Sequence, residues 1–479
     1  MNETDASPVR ASRPDDDPEI DIAAATPDSQ HDEDDRLKPE YVAAVRDAVE
    51  EGDTERAREL VAPLHPADVA DLIELTPEDE RGDVIAALGD LVGAEVYSEL
   101  NDYVRDDVIE EMQPEQVAEI AAELDTDDAV ALIEDLEEED QQAVLDAMEP
   151  EDRAAIESAL SFPEESAGRL MQRDLVAVPQ HWNVGQVIDF LRENNARTSD
   201  FWEIYVVDES HHPVGCCLLS WLLTTPRKIA ISDVMKRDQT LIPVDMDQEE
   251  VALRFQKYAL ISAAVVDPAG RLVGMITVDD ILHIVQEEAG EDILRLSGAG
   301  DGDINEPVLE SYKARVRWLL SNLLTALLAS SVIRMFEGTI EQMVALATLM
   351  PIVAGVGGNA GSQTMAVTVR ALATNQITAS NTWRTILREI RVAFLNGATV
   401  AVVIGIGVAL VFSNPALGGV IAAAMLTNIV TAGVAGAAIP LIFDRFDADP
   451  AVASSIFVTM ITDSMGFFAF LGLATLWGL

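Results

Sequence analysis

The stretch PIVAGVGGNAGSQTMAVTVRALA, residues 351–373, has the length and apolarity of a membrane helix but a polar, glycine-rich middle. Its glycines let two backbones approach closely, because glycine has no side chain to hold its neighbours apart. Asn359 and Gln363 add amide groups at membrane depth, where polar groups are tolerated only if they are buried in protein or line a water-filled path. The stretch therefore indicates either a tightly packed helix pair or a helix beside an ion path.

A second polar stripe, near the C-terminus, favours the ion path. Ser455, Thr459 and Asp463 are spaced at i, i+4 and i+8, which places them on one face of another apolar helix. A carboxylate at the centre of a membrane helix costs about 2.5–3.5 kcal/mol on insertion scales and is therefore usually functional. Two helices with polar faces predict a path for a cation.

The charge of the chain is divided unevenly along its length. The net charge is −53, and 77 of the 84 acidic residues precede Arg317, against 24 of the 31 basic residues. This distribution predicts a very acidic soluble part followed by an electrically neutral membrane part. Only five basic residues are lysine and the acids are scattered, which is typical of a salt-adapted proteome, with a cation-binding surface as the alternative. Such a surface repels phosphates, which argues against a nucleic-acid partner.

The two cysteines of the chain are adjacent and follow two histidines in the sequence HHPVGCC. Cys216 and Cys217 exclude a disulfide framework and a paired CxxC zinc site. His211 and His212 invite a metal site, but adjacent residues on a strand point to opposite faces and do not converge on one ion. The segment therefore predicts a turn followed by buried thiols.

The first 160 residues read as a tail followed by a helical domain. Residues 1–38 are acidic and poor in large apolar groups, which predicts a disordered tail. Residues 39–160 repeat short units such as HPADVADLIEL and MQPEQVAEIAAEL, with Pro or an acid in the first turn and apolar residues at i, i+3, i+4 and i+7. Each unit must stack on the next to bury its stripe, which predicts an all-α superhelical domain.

Residues 161–290 have a different period and predict two tandem α/β modules, about 161–227 and 228–290. In each module, an apolar strand, a turn and a second apolar strand lead into a helix start. A helix precedes each hairpin, at Val184–Arg192 and Gln248–Ala259, and Thr277–Asp280 caps the helix after the second. Residues 291–316 form a polar connector that becomes helical towards the membrane.

Residues 317–479 predict an all-α membrane domain of five spans, each long enough to cross roughly 30 Å of hydrocarbon. The segments lie at about 318–336, 343–371, 388–412, 417–443 and 451–477. Basic residues cluster before the first segment, around the second connection and at the end of the fourth, at Lys313, Arg315, Arg317, Arg370, Arg384, Arg388, Arg391 and Arg445. Together with the absence of a secretory signal, this predicts a cytosolic N-terminus and an outward C-terminus in the cell membrane.

The chain contains, in this order, SFPEESAGRLM at 161–171, TVDDILHIVQEEAGEDI at 277–293, GGNAGSQ at 357–363 and the pair DPAVAS and TDSMGF near the C-terminus. These motifs and their order resemble the MgtE family of magnesium channels. The resemblance covers about 40–479, and the two tandem modules look like a cystathionine-β-synthase-type (CBS) pair. It implies a homodimer whose protomers carry a helical N domain, a CBS pair, a connecting plug helix and five transmembrane helices.

The resemblance also implies roles for particular residues. Asp463 matches the pore carboxylate that recognises hydrated Mg²⁺ at the dimer interface, with Ser455 and Thr459 at neighbouring pore positions. Near the cytosolic gate, the matching segment consists of Gly357, Gly358 and Asn359.

Regulatory positions are implied as well. The carboxylates that match positions for regulatory Mg²⁺, at the end of the CBS pair, are Asp280, Glu288, Glu291 and Asp292. Asp449, at the start of the last helix, matches a partner that faces the plug helix and is assigned to the same regulatory site. Bound ions would hold the plug closed at high cytosolic Mg²⁺. ATP in the CBS cleft is also implied by relatives, although no phosphate-cradling glycine loop is seen.

Two other functions compete with a Mg²⁺ channel. A transporter of another divalent cation, such as Co²⁺, Mn²⁺ or Ca²⁺, would share the architecture. A softer metal favours His, Cys or Met, and the membrane part has no His or Cys but has Met425, Met460 and Met465. A membrane enzyme would need a nucleophile–base pair or a metal centre, and Asp463 has no His or Lys beside it in the membrane part.

Overall fold

The computed structural model describes residues 30–34, 36–110, 112–134, 136–193, 201–298, 305–378, 380–446 and 448–478. The chain divides into two compact units, one ending at Ser161 and the other beginning at Phe162. The first unit is helical in its described part. Its α-helices are α1 (Pro39–Glu50), α2 (Thr54–Val61), α3 (Pro66–Glu74), α4 (Glu78–Leu88), α5 (Ala94–Glu99), α6 (Asp102–Glu110), α7 (Pro114–Glu123), α8 (Thr126–Glu134), α9 (Glu138–Ala147) and α10 (Pro150–Leu160).

The helices of the first unit begin where the sequence repeats predict. Pro66, Pro114 and Pro150 each occupy the first turn of a helix, where the missing N–H of proline costs no hydrogen bond. Helices of 6–12 residues are too short to be stable alone, so they depend on packing against one another. Leu72 and Ile133 are completely buried in the shared core, and the predicted all-α domain is confirmed.

The folded region begins before the predicted boundary at residue 39. Most of the predicted disordered tail, residues 1–29 and 35, lies outside the described residues. In the described part, Leu37 is buried in the helical core and the His31 ring lies 3.0 Å from the Asp68 carboxylate. The burial of Leu37 and this hydrogen bond hold the segment against the helical domain, so the prediction of a tail extending to residue 38 is wrong at its C-terminal end.

The second unit begins with two three-stranded sheets of the same topology. In each sheet the middle strand pairs in parallel with the first strand and antiparallel with the third. The elements, in chain order, are β1 (Ala177–Pro179), α11 (Val184–Glu193), β2 (Glu203–Val207), β3 (Pro213–Leu218), α12 (Leu219–Thr224), α13 (Ile231–Val234), β4 (Leu241–Pro243), α14 (Gln248–Tyr258), β5 (Ser262–Val266) and β6 (Leu272–Thr277). Both predicted hairpins and the helices before them are therefore confirmed.

The two modules exchange segments across the boundary predicted at residue 227. Ala167 and Met171, expected in the first module, are completely buried in the core of the second. Conversely, Ile231 and Met235 pack in the core of the first module, and the Cys216 and Lys236 backbones pair. Each sheet buries apolar residues from the neighbouring stretch of chain, which a linear division at one residue does not capture.

The adjacent thiols lie in two different cores, as the alternation of a strand requires. Cys217 is buried within the first module, whereas Cys216 is buried in the cluster between the two sheets, with Tyr205 and Met275. The prediction of a turn followed by buried thiols is confirmed. These side chains do not converge on a common ion.

A long helix, α15 (Val278–Ser297), follows the second sheet and extends across residue 290, the predicted end of the CBS pair. The predicted cap is confirmed, because Thr277 and Asp280 form a reciprocal capping box at its N-terminus. The polar connector therefore begins as the second half of this helix. The first apolar helix is already formed at residue 308, ten residues before the predicted span.

Six helices make up the C-terminal part of the second unit. They are α16 (Val308–Met335), α17 (Glu337–Gln342), α18 (Ala345–Ala373), α19 (Thr382–Val411), α20 (Pro415–Asp444) and α21 (Pro450–Trp477). Among the described residues, four helices are long and apolar enough to cross a membrane: α16, α19, α20 and α21. Helix α18 is as long but contains the polar GGNAGSQ segment, so the predicted count of five spans stays a prediction.

Helix α20 lies at the centre of this helical part. It packs against α18, α19 and α21, and Ile421, Ala424 and Met425 are completely buried. The helix is nearly free of charge until Asp444, which suits a helix enclosed by others. This arrangement brings both polar segments found in the sequence, on α18 and α21, next to one another.

Candidate functional site

Helices α18, α20 and α21 approach so closely that several contacts require glycine. A Cβ atom at Gly361 of α18 would lie 2.6 Å from Cγ1 of Val458 and 3.4 Å from Cγ2 of Thr462, both on α21. A Cβ atom at Gly436 of α20 would lie 2.6 Å from the Gly361 carbonyl oxygen. The polar segment of α18 and the polar stripe of α21 therefore lie at the same level of the helical bundle.

An asparagine of α20 joins these helices. Asn428 is completely buried, and its Nδ2 donates a hydrogen bond of 2.9 Å to the carbonyl oxygen of Val353 on α18. The same amide occupies the space that a Cβ atom would need at Gly357, and lies 2.6 Å from the Cβ position of Gly466 on α21. Its Oδ1 is buried without a hydrogen-bond partner among the described residues.

The predicted pore residues of α21 lie beside its buried stripe. Ser454, Val458 and Thr462 face the protein interior and are at most 1% exposed. Each predicted residue directly follows one of these buried residues. Thr459 is exposed, whereas Ser455 and Asp463 are half-buried. The three predicted residues therefore do share one face, and this face borders the surface of the single chain.

Asp463 is the charged group of this face. Its carboxylate forms no hydrogen bond or ion pair with any residue that the structure describes, and it lies one turn before Gly466. A carboxylate at membrane depth usually pairs with another group or faces water. Asp463 is thus available to a ligand.

The three residues predicted for the gate do not act as one surface. Gly357 is buried against Asn428, Gly358 is half-buried and Asn359 is exposed. Residues two positions apart on an α-helix are rotated by about 200° around its axis, so Gly357 and Asn359 point in nearly opposite directions. Gly357 serves close packing, and Asn359 is the member of this segment that reaches the surface.

A second acidic residue in the helical bundle was not singled out in the sequence. Glu389 of α19 is 4% exposed and pairs with the neighbouring Arg388. It borders a cavity of about 190 Å³ between α18, α19 and α20, together with the amides of Gln363 and Asn396. Glu389 could have been noticed in the sequence because α19 contains no other acid. Asn428 could have been noticed because it is the only amide in the largely apolar helix α20.

Four of the five carboxylates predicted to regulate the protein are spread along α15, and the fifth, Asp449, precedes α21. Asp280 and Glu288 are eight residues apart, about 12 Å along a helix axis, so one ion cannot bind both. Asp280 accepts hydrogen bonds of 3.2 Å and 2.7 Å from the Thr277 backbone N–H and hydroxyl, within the helix cap. The side chain of Asp292 lies outside the described residues.

Glu288 lies among other acids of the second module. It accepts a hydrogen bond of 2.7 Å from Nε2 of Gln248 and is half-buried. Burial raises the pKa of Glu288, and the charges of Glu165 and Asp247 raise it further, while Gln248 and Arg295 oppose the shift. Sequence reading missed Glu165 and Asp247, because they come from segments far from α15 in the chain.

The side chain of Arg295 links Glu291 and Asp449. Arg295 pairs with Glu291 on α15, and its Nη1 lies 2.8 Å from Oδ2 of Asp449. Asp449 also caps α21, because its Oδ1 accepts a hydrogen bond of 2.6 Å from the Ala451 N–H. Among the described residues, no group of three or more His, Cys, Asp or Glu side chains is arranged to hold a metal ion directly.

Three family models match separate parts of this chain. One described as "Divalent cation transporter" matches residues 350–473, one described as "MgtE intracellular N domain" matches 64–165, and one described as "CBS domain" matches 231–287. These matches cover the α18–α21 bundle, most of the first unit and the second α/β module.

Curated relatives match much of the chain. It is 31% identical over 446 residues to "Magnesium transporter MgtE" of Thermus thermophilus, covering 92% of this chain and 99% of the relative. It is 31% identical to the protein of the same name from Enterococcus faecalis and 32% identical to that from Bacillus subtilis, each over 317 residues, 66% of this chain and 70% of the relative.

Two solved structures are each similar to about half of this chain. "Crystal structure of the cytosolic domain of the Mg2+ channel MgtE in complex with ATP" is 32% identical, covers 51% of this chain and 99% of its own, and gives a TM-score of 0.47. "Crystal structure of the soluble part of a magnesium transporter" is 26% identical, covers 52% of this chain and 98% of its own, and gives a TM-score of 0.46.

Proposed function

The chain belongs to the MgtE family of magnesium transporters, a family of transport proteins rather than enzymes, and on this premise we propose that it imports hydrated Mg²⁺ through a path bordered by Asp463. The observation that carries the proposal is the position of Asp463, a carboxylate at membrane depth without a described partner. Thr459 and Ser455 lie on the same face of α21, one and two turns before it.

The chemistry of Mg²⁺ favours binding with its water shell in place. Mg²⁺ is small and gives up water reluctantly, so a path that passes the hydrated ion avoids a large dehydration cost. Carboxylate and hydroxyl oxygens accept hydrogen bonds from ion-bound water, which suits Asp463, Thr459 and Ser455.

A homodimer would complete the path. Asn359 and Thr459 are exposed on neighbouring helices of a single chain, and lipid tails cannot satisfy such polar groups. A second copy of the chain facing this surface would enclose these residues in a water-filled path. Two copies of Asp463 would then balance the charge of one divalent cation.

Regulation by cytosolic Mg²⁺ is proposed at the acidic end of the CBS pair. Glu288, with Glu165 and Asp247 nearby, forms a region where a dication would relieve like-charge repulsion. Asp280 and Asp292 remain predicted contributors, although Asp280 already caps α15. Because salt screens long-range repulsion, with a Debye length of about 3 Å at 1 M, direct contacts should dominate in a salt-rich cytosol.

The remaining predictions concern the environment of the transporter. We propose the cell membrane with a cytosolic N-terminus and an outward C-terminus, from the distribution of Arg and Lys. ATP binding at the CBS pair and adaptation to high salt also remain proposals. A path for Co²⁺, Mn²⁺ or Ca²⁺ is the alternative. Of the three methionines that support it, Met425 is completely buried and cannot border the exposed polar face, whereas Met460 is half-buried and Met465 is exposed on α21.

The test is Mg²⁺ uptake into a Mg²⁺-starved strain that expresses the wild type, Asp463→Asn or the control Glu337→Gln. Glu337 is an exposed acid on α17 at the edge of the bundle. We expect rescue by the wild type and Glu337→Gln, and none by a membrane-inserted Asp463→Asn. Equal rescue by all three would remove Asp463 from the path. Uptake of Co²⁺ or Mn²⁺ without uptake of Mg²⁺ would instead favour the alternative cation.

A further inference from the structure

The C-terminal end of α15 contacts the membrane helices at three residues. Arg295 pairs with Asp449 at the start of α21, and Leu296 packs against the apolar cluster that contains Ala451 and Val458. Gly298 ends α15 in a left-handed conformation and lies against the ring of Trp318 on α16. The position of α15 is therefore coupled to the helix that carries Asp463.

The guanidinium of Arg295 lies between two carboxylates. It pairs with Glu291 one turn earlier on α15 and, through Nη1, with Oδ2 of Asp449 at 2.8 Å. The three side chains are 36%, 27% and 28% exposed for Arg295, Glu291 and Asp449, so all are partly removed from solvent. Asp449 uses its other oxygen to cap α21.

These residues do not fit a regulatory Mg²⁺ in this arrangement. Glu291 and Asp449 alone would be two facing acids and would need a cation between them, as the resemblance implies. Arg295 already supplies one positive charge there and occupies the oxygen of Asp449 that does not cap α21. A dication would have to displace the guanidinium before it could bind both acids.

We propose that Arg295 is a positioning residue that holds α15 against α21 as a tethered cation, so that this contact forms without Mg²⁺. The inference depends on the proposed function in one respect: it assumes that the position of α15 controls transport. Mg²⁺ sensing would then depend on the carboxylates around Glu288, about two turns before Arg295 on α15. The resemblance assigns Glu291 and Asp449 to metal, whereas the geometry assigns them to Arg295.

Arginine suits this role for a physical reason. Its planar fork can hold two carboxylates at once and remains charged at any physiological pH. A direct contact is also weakened by salt less than repulsion between separated charges. In a chain with 84 acidic residues, an intramolecular cation at this position makes the contact independent of the free ion concentration.

Hydrogen exchange of the backbone amides at residues 291–298 tests the proposal directly. The full-length protein in micelles is measured in EDTA and in excess Mg²⁺, as wild type and Arg295→Gln. We expect the wild type to be protected in both conditions. Arg295→Gln should exchange about tenfold faster or more in EDTA, as expected for the loss of a charge-assisted hydrogen bond, and should regain protection in Mg²⁺.

Two further variants distinguish the loss of this ion pair from a general loss of stability. Asp449→Asn keeps the oxygen that caps α21 but removes the charge, so it should exchange faster in EDTA as Arg295→Gln does. It should not regain protection in Mg²⁺, because only one of the two carboxylates remains and Arg295 still pairs with it. Arg271→Gln removes an arginine that pairs with Asp267 in a turn of the second module, and should leave residues 291–298 protected.

Wild-type protection that appears only with Mg²⁺ would overturn the proposal, as would equal protection of Arg295→Gln and wild type in EDTA. Exchange is measured without ion flux. A failure of the wild type to transport Mg²⁺ would therefore contradict the proposed function and leave the exchange result standing.

Discussion

The side-chain amide of Asn428 occupies the space that a Cβ atom at Gly357 would need. This contact joins the central helix α20 to the polar segment of α18, two residues before the exposed Asn359. The same amide lies against Gly466 on α21, one turn after Asp463. One buried side chain thus sets the spacing between the two helices that carry the candidate path.

Gly357→Ala should destabilise the protein because the added methyl group collides with Asn428. Overpacking of a closely packed interior costs about 1–3 kcal/mol in the free energy of unfolding. Thermal unfolding in micelles measures the loss, and Mg²⁺ uptake should fall with it. The matched control is Gly419→Ala on α20, where nothing lies within 4 Å of the added atom. Equal stability of the two variants would contradict the contact.

Asn428→Asp should lower the free energy of unfolding more than Asn428→Leu does, although aspartate is closer in shape to asparagine. The aspartate would lose the donor to the Val353 carbonyl and place a buried charge opposite it. An uncompensated buried charge costs about 3–5 kcal/mol, whereas an apolar residue of similar volume costs less. Folded yield and thermal unfolding of the two variants give the order, and greater stability of Asn428→Asp would show that the site is hydrated.

The sequence was sufficient for the elements because their signals are local. Apolar spacing and prolines marked helices such as α3 and α10, and Thr277 with Asp280 marked the start of α15. The i, i+4, i+8 spacing of Ser455, Thr459 and Asp463 correctly placed them on one face. These features depend on residues within one or two turns of each other.

The sequence was insufficient where partners are distant in the chain. Arg295 and Asp449 are separated by 154 residues, so periodicity could not reveal that a cation already lies between two predicted metal ligands. Similarly, Gly357 was grouped with Asn359 by proximity in sequence, but the helix directs them to opposite sides. The exchange of segments between the two modules has the same cause.

The two thiols should not react with a maleimide in the folded protein at neutral pH. Burial raises the pKa of Cys216 to about 12 and that of Cys217 to about 11, with the Glu203 charge as a second cause. Thiolate is the reactive form, so both the pKa and the lack of access slow labelling. Mass spectrometry should show labelling only after denaturation, and rapid native labelling would contradict the buried positions on β3.

Glu288→Gln should stabilise the Mg²⁺-free protein, by an amount that grows as the pH rises from the ordinary carboxyl range towards neutrality. Burial raises the pKa of Glu288, so the folded state retains its proton longer than the unfolded state. The wild type therefore loses stability as the pH rises through this window, whereas the amide keeps its contact with Gln248 and does not titrate. Thermal unfolding across the pH range measures the difference.

Added Mg²⁺ provides the corresponding control for Glu288. If Glu288 contributes to a regulatory site, excess Mg²⁺ should raise the unfolding midpoint of the wild type more than that of Glu288→Gln. A stability difference that shrinks as the pH rises would contradict the environment of this carboxyl group.

Glu389→Gln and Asp463→Asn should have opposite effects, although both remove one acid from the helical bundle. Glu389 is buried and paired with Arg388, so its amide variant should lose about 1–3 kcal/mol of unfolding free energy while keeping Mg²⁺ uptake per folded molecule. Asp463 has no described partner, so its amide variant should remain stable and lose uptake. Thermal unfolding and uptake, normalised to inserted protein, separate the two. If Glu389→Gln were stable but inactive, the cavity beside Gln363 and Asn396, and not the α21 face, would become the candidate path.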